Sequence, residues 1–266
     1  MLIAQLSDLH LCARGQRLDG RIDTQAMAAR ALNAVMAWPT RPDALLLSGD
    51  LVETGGADAY AELMALLAPI ELPLYPVAGN HDERGALSEA FGERLATHSH
   101  RLPGFLQYAA RLGDLRLLVL DTVVPLQGHG ALCATRLAWL AERLAEDASP
   151  TLIAMHHPPF ATGIAHMDAM GLREGGAELE ALVQRHPQVQ ALTCGHLHRS
   201  IQTRFGGAVA ATCPSTAHQI ALTLQGQAQD GYVMEPPGFQ LHLWHGGRLV
   251  SHTVPLGDFG GTHAFR

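Results

Sequence analysis

Short apolar runs recur along this chain, and each ends in a carboxylate, an imidazole or an amide. The runs are LIAQL (2–6), ALLLS (44–48), PLYPV (73–77), LRLLVL (115–120), TLIAM (151–155) and VQALT (189–193). Nearly continuous apolar runs of this length are what strands buried on both faces require. Between them lie alanine-rich or amphipathic stretches at 23–38, 57–67, 135–146 and 176–186, the first with Asp23 as N-cap and Pro39 as a stop. Strands alternating with helices predict an α/β fold with helices covering a largely central sheet. Beyond residue 200 the pattern changes. Stretches 200–205, 208–212, 239–244 and 248–254 read as strands joined at Gly206-Gly207 and Gly246-Gly247. The last third is therefore expected to be antiparallel and hairpin-rich.

Residues 1–266 are enough for one large domain and are read as a single unit. The least regular stretch, 217–237, ends in Pro236-Pro237 and is a candidate lid or oligomerisation insertion within that domain. A hydrophobic content of 47% against 16% charged residues favours a well-buried core over disorder. The net charge of -7 argues against a nucleic-acid polymer as partner. Cys12, Cys133, Cys194 and Cys213 form no C-x-x-C pair, so reduced thiols and a cytoplasmic location are expected. No apolar run is long enough to span a bilayer, and the first residues read as a strand rather than a signal peptide. The 16 histidines nearly equal the 18 Lys and Arg, which prompts a search for metal ligands. His98, His100, His129 and His186 lie in polar or turn-like surroundings and are read as surface residues.

The search ends at the strand termini: Ser7-Asp8-Leu9-His10, Ser48-Gly49-Asp50, Gly79-Asn80-His81-Asp82, His156-His157-Pro158-Pro159 and Gly195-His196-Leu197-His198. Ligands of open α/β sheets bind outside the carboxyl ends of strands, so five such ends are expected to converge on one edge. Each residue has an ordinary explanation alone. Asp8 could cap a helix, Asp50 could sit in a turn, Asn80 could be a left-handed turn residue, and His156 could be a core histidine. Jointly those explanations require independent accidents at every productive strand end. His196 and His198 diverge on a helix but share a face on extended chain, so GHLH is read as extended backbone aiming two imidazoles at one place. Carboxylates, imidazoles and an amide oxygen without thiolate suit borderline to hard divalent metals.

In this order, DLH, GD, GNHD, HHPP and GHLH resemble the calcineurin-like metallophosphoesterases. Within them the chain resembles the bacterial class III cyclic-nucleotide phosphodiesterase and glycerophosphodiesterase branch, favoured over the Ser/Thr protein phosphatases by residues 14–23 and the GNHDER form. The resemblance spans residues 8 to 198 and is looser after 217. It implies a four-layer αββα sandwich and two metal ions. Asp8, His10, Asp50 and His198 would hold one; Asp50, Asn80, His156 and His196 would hold the other, with Asp50 bridging. Such ligands admit Fe, Mn, Zn or Co. His81 would sit beside the centre without binding metal, in a catalytic role. Leu197 would pack beneath it and His157 would point elsewhere. His218 resembles a substrate-proximal histidine of this branch. Asp82 is expected to cap the following helix or to hold a histidine in place.

Two cations roughly 3.5–4 Å apart clamp an in-line displacement at phosphorus and lower the pKa of bound water. The expected reaction is phosphodiester hydrolysis by metal-activated hydroxide, on glycerophosphodiesters or cyclic nucleotides. Asn80 would serve it as ligand, and His81 would orient phosphate or protonate the leaving alkoxide. A phosphomonoesterase or protein phosphatase on the same centre is the alternative. A non-catalytic scaffold is disfavoured because every expected ligand position is filled. A monoester dianion calls for cationic partners beyond the metals, and Arg14, Arg17, Arg21, Arg84 and Arg199 are read as solvated surface. Asp19 is a departure, since relatives in this branch tend to have Tyr there. An acid is expected to remove an aromatic contact and repel anions. Residues 161–174 are candidates to line the pocket. A small phosphodiester substrate, no membrane and an even-numbered homo-oligomer complete the expectations.

Overall fold

The computed structural model describes the chain except at residues 97, 225–229, 262 and 266. Two sheets carry it. The first runs in the order Arg248–Pro255, Gly238–His245, Leu2–Leu6, Ala44–Ser48, Leu74–Val77. The second runs Ile201–Phe205, Ala208–Thr212, Val189–Cys194, Thr151–Ala154, Leu115–Val119, Tyr108–Leu112. In both, the strands that end in polar motifs pair in parallel. Side-chain alternation separates the layers. Leu117, Val119, Leu152 and Ala154 join a core with the first sheet, whereas Leu118, Ile153 and Met155 join one with the helices Ala134–Glu146 and Gly176–Arg185. Helices Thr24–Met36, Ala57–Leu67 and Arg84–Phe91 pack on the first sheet. The result is the four-layer αββα sandwich.

The six expected strands and four expected helices all form. Asp23 caps the first helix, accepting from the Ala26 N–H at 3.0 Å, and that helix ends at Met36, before Pro39. The helix expected after Asp82 forms at Arg84–Phe91, and the strand Tyr108–Leu112 goes beyond the sequence reading. Asp82 does not cap that helix and holds no histidine. Its buried carboxylate accepts from Gly79 N, Leu51 N and the Tyr60 hydroxyl, which draw it inward. Exposed Glu83 caps the helix instead, through Gly85 N at 2.9 Å and Ala86 N at 2.7 Å.

The C-terminal third is hairpin-rich as expected, with Ile201–Phe205 antiparallel to Ala208–Thr212 and Gly238–His245 antiparallel to Arg248–Pro255, and these two hairpins extend different sheets. Ala208–Thr212 runs parallel to Val189–Cys194, and Gly238–His245 runs antiparallel to Leu2–Leu6. His98 is buried, not at the surface. Its ring stacks between Tyr75 at 5.3 Å and Tyr108 at 4.1 Å. Of the 217–237 stretch, 225–229 lies outside the described residues. Within the remainder, Gln219–Ile220 pairs antiparallel with Tyr232–Val233. Among the described residues, no helix is long and apolar enough to cross a membrane.

Candidate metal centre

The strand ends meet through backbone pairing of the loops beyond them. Asp8 N donates to Gly49 O at 3.0 Å, and His10 N to Asp50 O at 2.9 Å. The GHLH stretch is not extended. His196 (φ 71°) and His198 (φ 51°) are left-handed, as are Asp8 (φ 52°), His10 (φ 47°) and Asp50 (φ 50°). Asn80, the residue read as a possible left-handed turn, does not take that conformation. Left-handed backbone is uncommon outside glycine, and such residues gather at functional sites where the surroundings over-determine them. Here it turns successive side chains of tight loops inward. Two motif glycines are required by close approach. A Cβ at Gly79 would strike Asp50, and one at Gly195 would strike Ser7 Oγ and Ser48 O.

Every residue of the expected ligand set reaches the same place. Asp50 Oδ2 lies 3.2 Å from His156 Nε2 and 3.7 Å from His10 Nε2. Asn80 Oδ1 is 3.2 Å from His156 Nε2, and Asp8 Oδ1 is 3.4 Å from His198 Nε2. Asp8, His10 and His198 form one compact donor group, and Asp8, Asp50 and His156 another. The imidazoles are oriented from behind. His10 Nδ1 meets Glu53 Oε2 at 2.7 Å, His156 Nδ1 meets Ser48 O at 2.9 Å, and His198 Nδ1 meets His218 O at 3.0 Å. Those acceptors place a ring hydrogen on Nδ1 and turn each Nε2 inward.

That arrangement fits cations. His10 Nε2 and His198 Nε2 sit 3.1 Å apart, and with both Nδ1 atoms donating outward their lone pairs oppose each other. Buried His196 Nε2 has no partner. Burial pushes His196 down to about 3, with the charge of His156 adding to the effect; burial, then His10, holds His198 well below its usual range. Burial alone would raise the Asp50 carboxyl, but His156 outweighs it and holds Asp50 well below the carboxylate range. Burial opposes protonation of His156, yet the charge of Asp50 pushes it up to about 9. His196 and His198 are thus held neutral and Asp50 ionised, the forms that bind metal, whereas His156 must give up its Nε2 proton to do so.

Two supporting groups escaped the sequence reading. Glu53 orients His10, and its carbonyl oxygen accepts from His81 Nδ1 at 2.8 Å. Its signal was its place three residues beyond Asp50 on the same loop. Behind Asp8 runs a buried donor chain. Gln5 Nε2 donates to Ser48 Oγ (2.8 Å), Ser48 to Ser7 Oγ (2.7 Å), and Ser7 to Asp8 Oδ2 (2.6 Å). Hydrogen bonds aligned in one direction reinforce one another. His157 does not point elsewhere. Pinned by Thr122 Oγ1 at 2.8 Å and pressed against Gly130, its ring lies 4.7 Å from that of His196.

A cavity of about 250 Å³ opens above these groups. Its floor holds His10, Asp50, Asn80, His196 and His198, with His81 and Glu53 at one side. Leu18, Met167, Met170, Ile220 and Tyr232 form an apolar wall, so part of 161–174 lines the pocket as expected. Buried His218 lines it too, its ring 4.5 Å from that of His198. Leu197 faces away and packs with Ile164 and Met167 beneath that wall. The expected loss of an aromatic contact at Asp19 is overturned: Tyr232 brings a ring into the cavity, and its hydroxyl donates to Asp19 Oδ2 at 2.8 Å. No Lys or Arg is among the described residues lining the cavity. Arg84 is engaged by Asp121, and Arg199 by Ile220 O and Glu235. Arg14, Arg17 and Arg21 are exposed.

Residues 1–200 match the calcineurin-like phosphoesterase family. The chain belongs to that family. Members of this family use a dinuclear metal centre, which the donor set above suits. Over 269 residues, all of this chain and 97% of the relative, the sequence is 30% identical to a probable glycerophosphodiester phosphodiesterase of Arcobacter nitrofigilis. It is 37% identical over 218 residues to a probable cyclic nucleotide phosphodiesterase of Synechococcus, covering 82% of this chain and 81% of that one. In fold it is similar to a dimetal phosphatase from Danio rerio, with a TM-score of 0.67 at 14% identity, covering 96% of this chain and 98% of that chain.

Proposed function

We propose that the protein hydrolyses phosphodiesters at a dinuclear centre. Asp8, His10, Asp50 and His198 would hold one metal and Asp50, Asn80, His156 and His196 the other, with Asp50 shared between them. The observation that carries the diester reading is the cavity itself: a floor of metal donors with no Lys or Arg among the described lining residues. A diester monoanion needs no cation beyond the metals, whereas a monoester dianion does. The relatives' names, a glycerophosphodiester and a cyclic nucleotide phosphodiesterase, support the same class.

Two divalent cations, when bound, activate water and neutralise charge on the phosphoryl group. The chain's own residues do the rest. Glu53, Ser48 and the His218 carbonyl fix the tautomers of the ligating rings. His81 Nδ1 is spent on the Glu53 carbonyl, so Nε2 is the atom available to hold a proton for the leaving oxygen. The ring is about one-third exposed and lines the cavity, within reach of substrate. His218 and the apolar wall contact the part of the substrate away from phosphorus.

The test is hydrolysis of bis-p-nitrophenyl phosphate against p-nitrophenyl phosphate by metal-reconstituted protein. Faster turnover of the diester is expected, and faster turnover of the monoester overturns the reading. Reconstitution with Fe, Mn, Zn or Co, with metal content measured beside rate, identifies the native pair. The reading includes a single domain of 1–266, a cytoplasmic location and an even-numbered homo-oligomer. Exposed Leu222, Leu224 and Met234, all within the 217–237 stretch, support a subunit contact there. Light scattering checks it, a monomeric mass counting against it.

A further inference from the structure

We propose that Tyr232, tethered by Asp19, is a specificity-determining residue that favours phosphodiesters carrying a flat aromatic group such as a nucleobase. The inference rests on the phosphodiesterase reading above. Its basis is a contact between residues 213 positions apart. The Tyr232 hydroxyl donates to Asp19 Oδ2 at 2.8 Å, and both residues line the cavity. Asp19 sits in a left-handed turn (φ 51°) closed by Leu18 N to Ile22 O at 3.0 Å, which fixes the backbone that carries its exposed carboxylate.

Tyr232 is fixed from its other side as well. It pairs with Ile220 in the short ribbon, and Ala221 N donates to Gly231 O at 2.9 Å. Arg199 holds the first strand of that ribbon and the segment that follows the second, donating to Ile220 O at 2.6 Å and pairing with Glu235 at 2.7 Å. The ring meets His218 edge-on at 5.1 Å and remains 38% exposed. It is therefore anchored at its hydroxyl and backbone without being consumed by packing. With Leu18 and Met170 it presents an apolar, polarisable surface to the cavity, one ring beyond His198 through His218. A diester seated by its phosphate on the floor extends one arm toward that surface. The hydrogen bond also engages Asp19, whose free carboxylate would otherwise confront an anionic substrate. Asp19 is thus a positioning residue and Tyr232 the contact.

Steady-state kinetics of the manganese-loaded protein on bis-p-nitrophenyl phosphate and on glycerophosphoethanolamine tests this. Tyr232→Ala is expected to raise KM for the aromatic diester about tenfold and for the aliphatic one less than about twofold, the loss falling on KM rather than kcat. Tyr232→Phe and Asp19→Ala keep the ring but remove the tether, and should each raise the aromatic KM about threefold. Asp19→Asn keeps an acceptor and should restore it. An equal change in both KM values for Tyr232→Ala, or none, overturns the proposal. Should the wild type hydrolyse no diester with any metal, the phosphodiesterase reading fails, and calorimetric binding decides the inference separately. Wild type should then prefer adenosine 5′-monophosphate over ribose 5-phosphate and Tyr232→Ala should lose that preference; identical preference in the two proteins overturns it.

Discussion

The two walls of the cavity are built in opposite ways. The floor is buried and is made by tight loops directly after parallel strands: Asp8, His10, Asp50, His156, His196 and His198 are each less than a tenth exposed. The facing wall of Leu18, Met170, Ile220 and Tyr232 is partly open and comes from loops and a two-residue ribbon. In the floor, neighbours fix the ring hydrogens of His10, His156 and His198. In the wall one hydrogen bond and one ion pair set the position of an aromatic ring. Chemistry is thus assigned to the buried part of the fold, and choice of substrate to the more open part.

Substitutions can break that division. The largest effect is expected from Asn80→Ala. It removes an oxygen 3.2 Å from His156 Nε2, and outer partners of metal ligands already cost about 10–100-fold, so a direct ligand should cost more than about a hundredfold in rate together with metal. Metal analysis beside kinetics checks it, and normal metal content with normal rate removes Asn80 from the ligand set. Next comes His81→Ala, expected to retain metal and lose about 10²-fold or more, most clearly with poor leaving groups. Loss of metal instead would make His81 part of the floor rather than its edge.

Glu53→Gln should be milder. It weakens the 2.7 Å contact that orients His10, and about tenfold in metal affinity is expected, read by competition with a chelator. An unchanged affinity would show that the His10 ring is held by packing alone.

A smaller effect, remote from both walls, provides the control. Burial lowers His98 to about 4 from an ordinary value near 6.5. The unfolded chain therefore takes up the proton first. The stability this neutral ring contributes is complete above about pH 6.5 and is lost as pH falls toward 4, to the extent of a few kcal/mol. Chemical denaturation across that interval should show the decline, and His98→Gln should flatten it. An equally steep decline in His98→Gln would assign the pH dependence to other groups, with buried His242, lowered to about 4, the next to substitute.

Much of the floor was legible before any coordinates. Its donors occur as short motifs at the ends of apolar runs, and a metal needs those residue types in any fold that gathers strand ends. What misled was local conformation. An extended reading of GHLH follows from side-chain direction alone, whereas the packed loops hold His196 and His198 left-handed. Asp82 read as a cap because nothing in sequence announces that Gly79, Leu51 and Tyr60 will claim its carboxylate. His98 looked polar by its neighbours in sequence and is enclosed by two tyrosines from other strands.

By itself, then, the sequence determined the alternation of strands and helices, the family and the kinds of atoms offered to metal. Each of these is carried by residues within a few positions of one another, where backbone periodicity and ligand chemistry act directly. Only the tertiary structure decided which nitrogen of each imidazole faces inward, which arginines are neutralised, and that Tyr232 fills the space beside Asp19. Those outcomes depend on contacts between residues far apart in the chain, such as His10 with His198 and Asp19 with Tyr232, and such contacts exist only after the layers have packed.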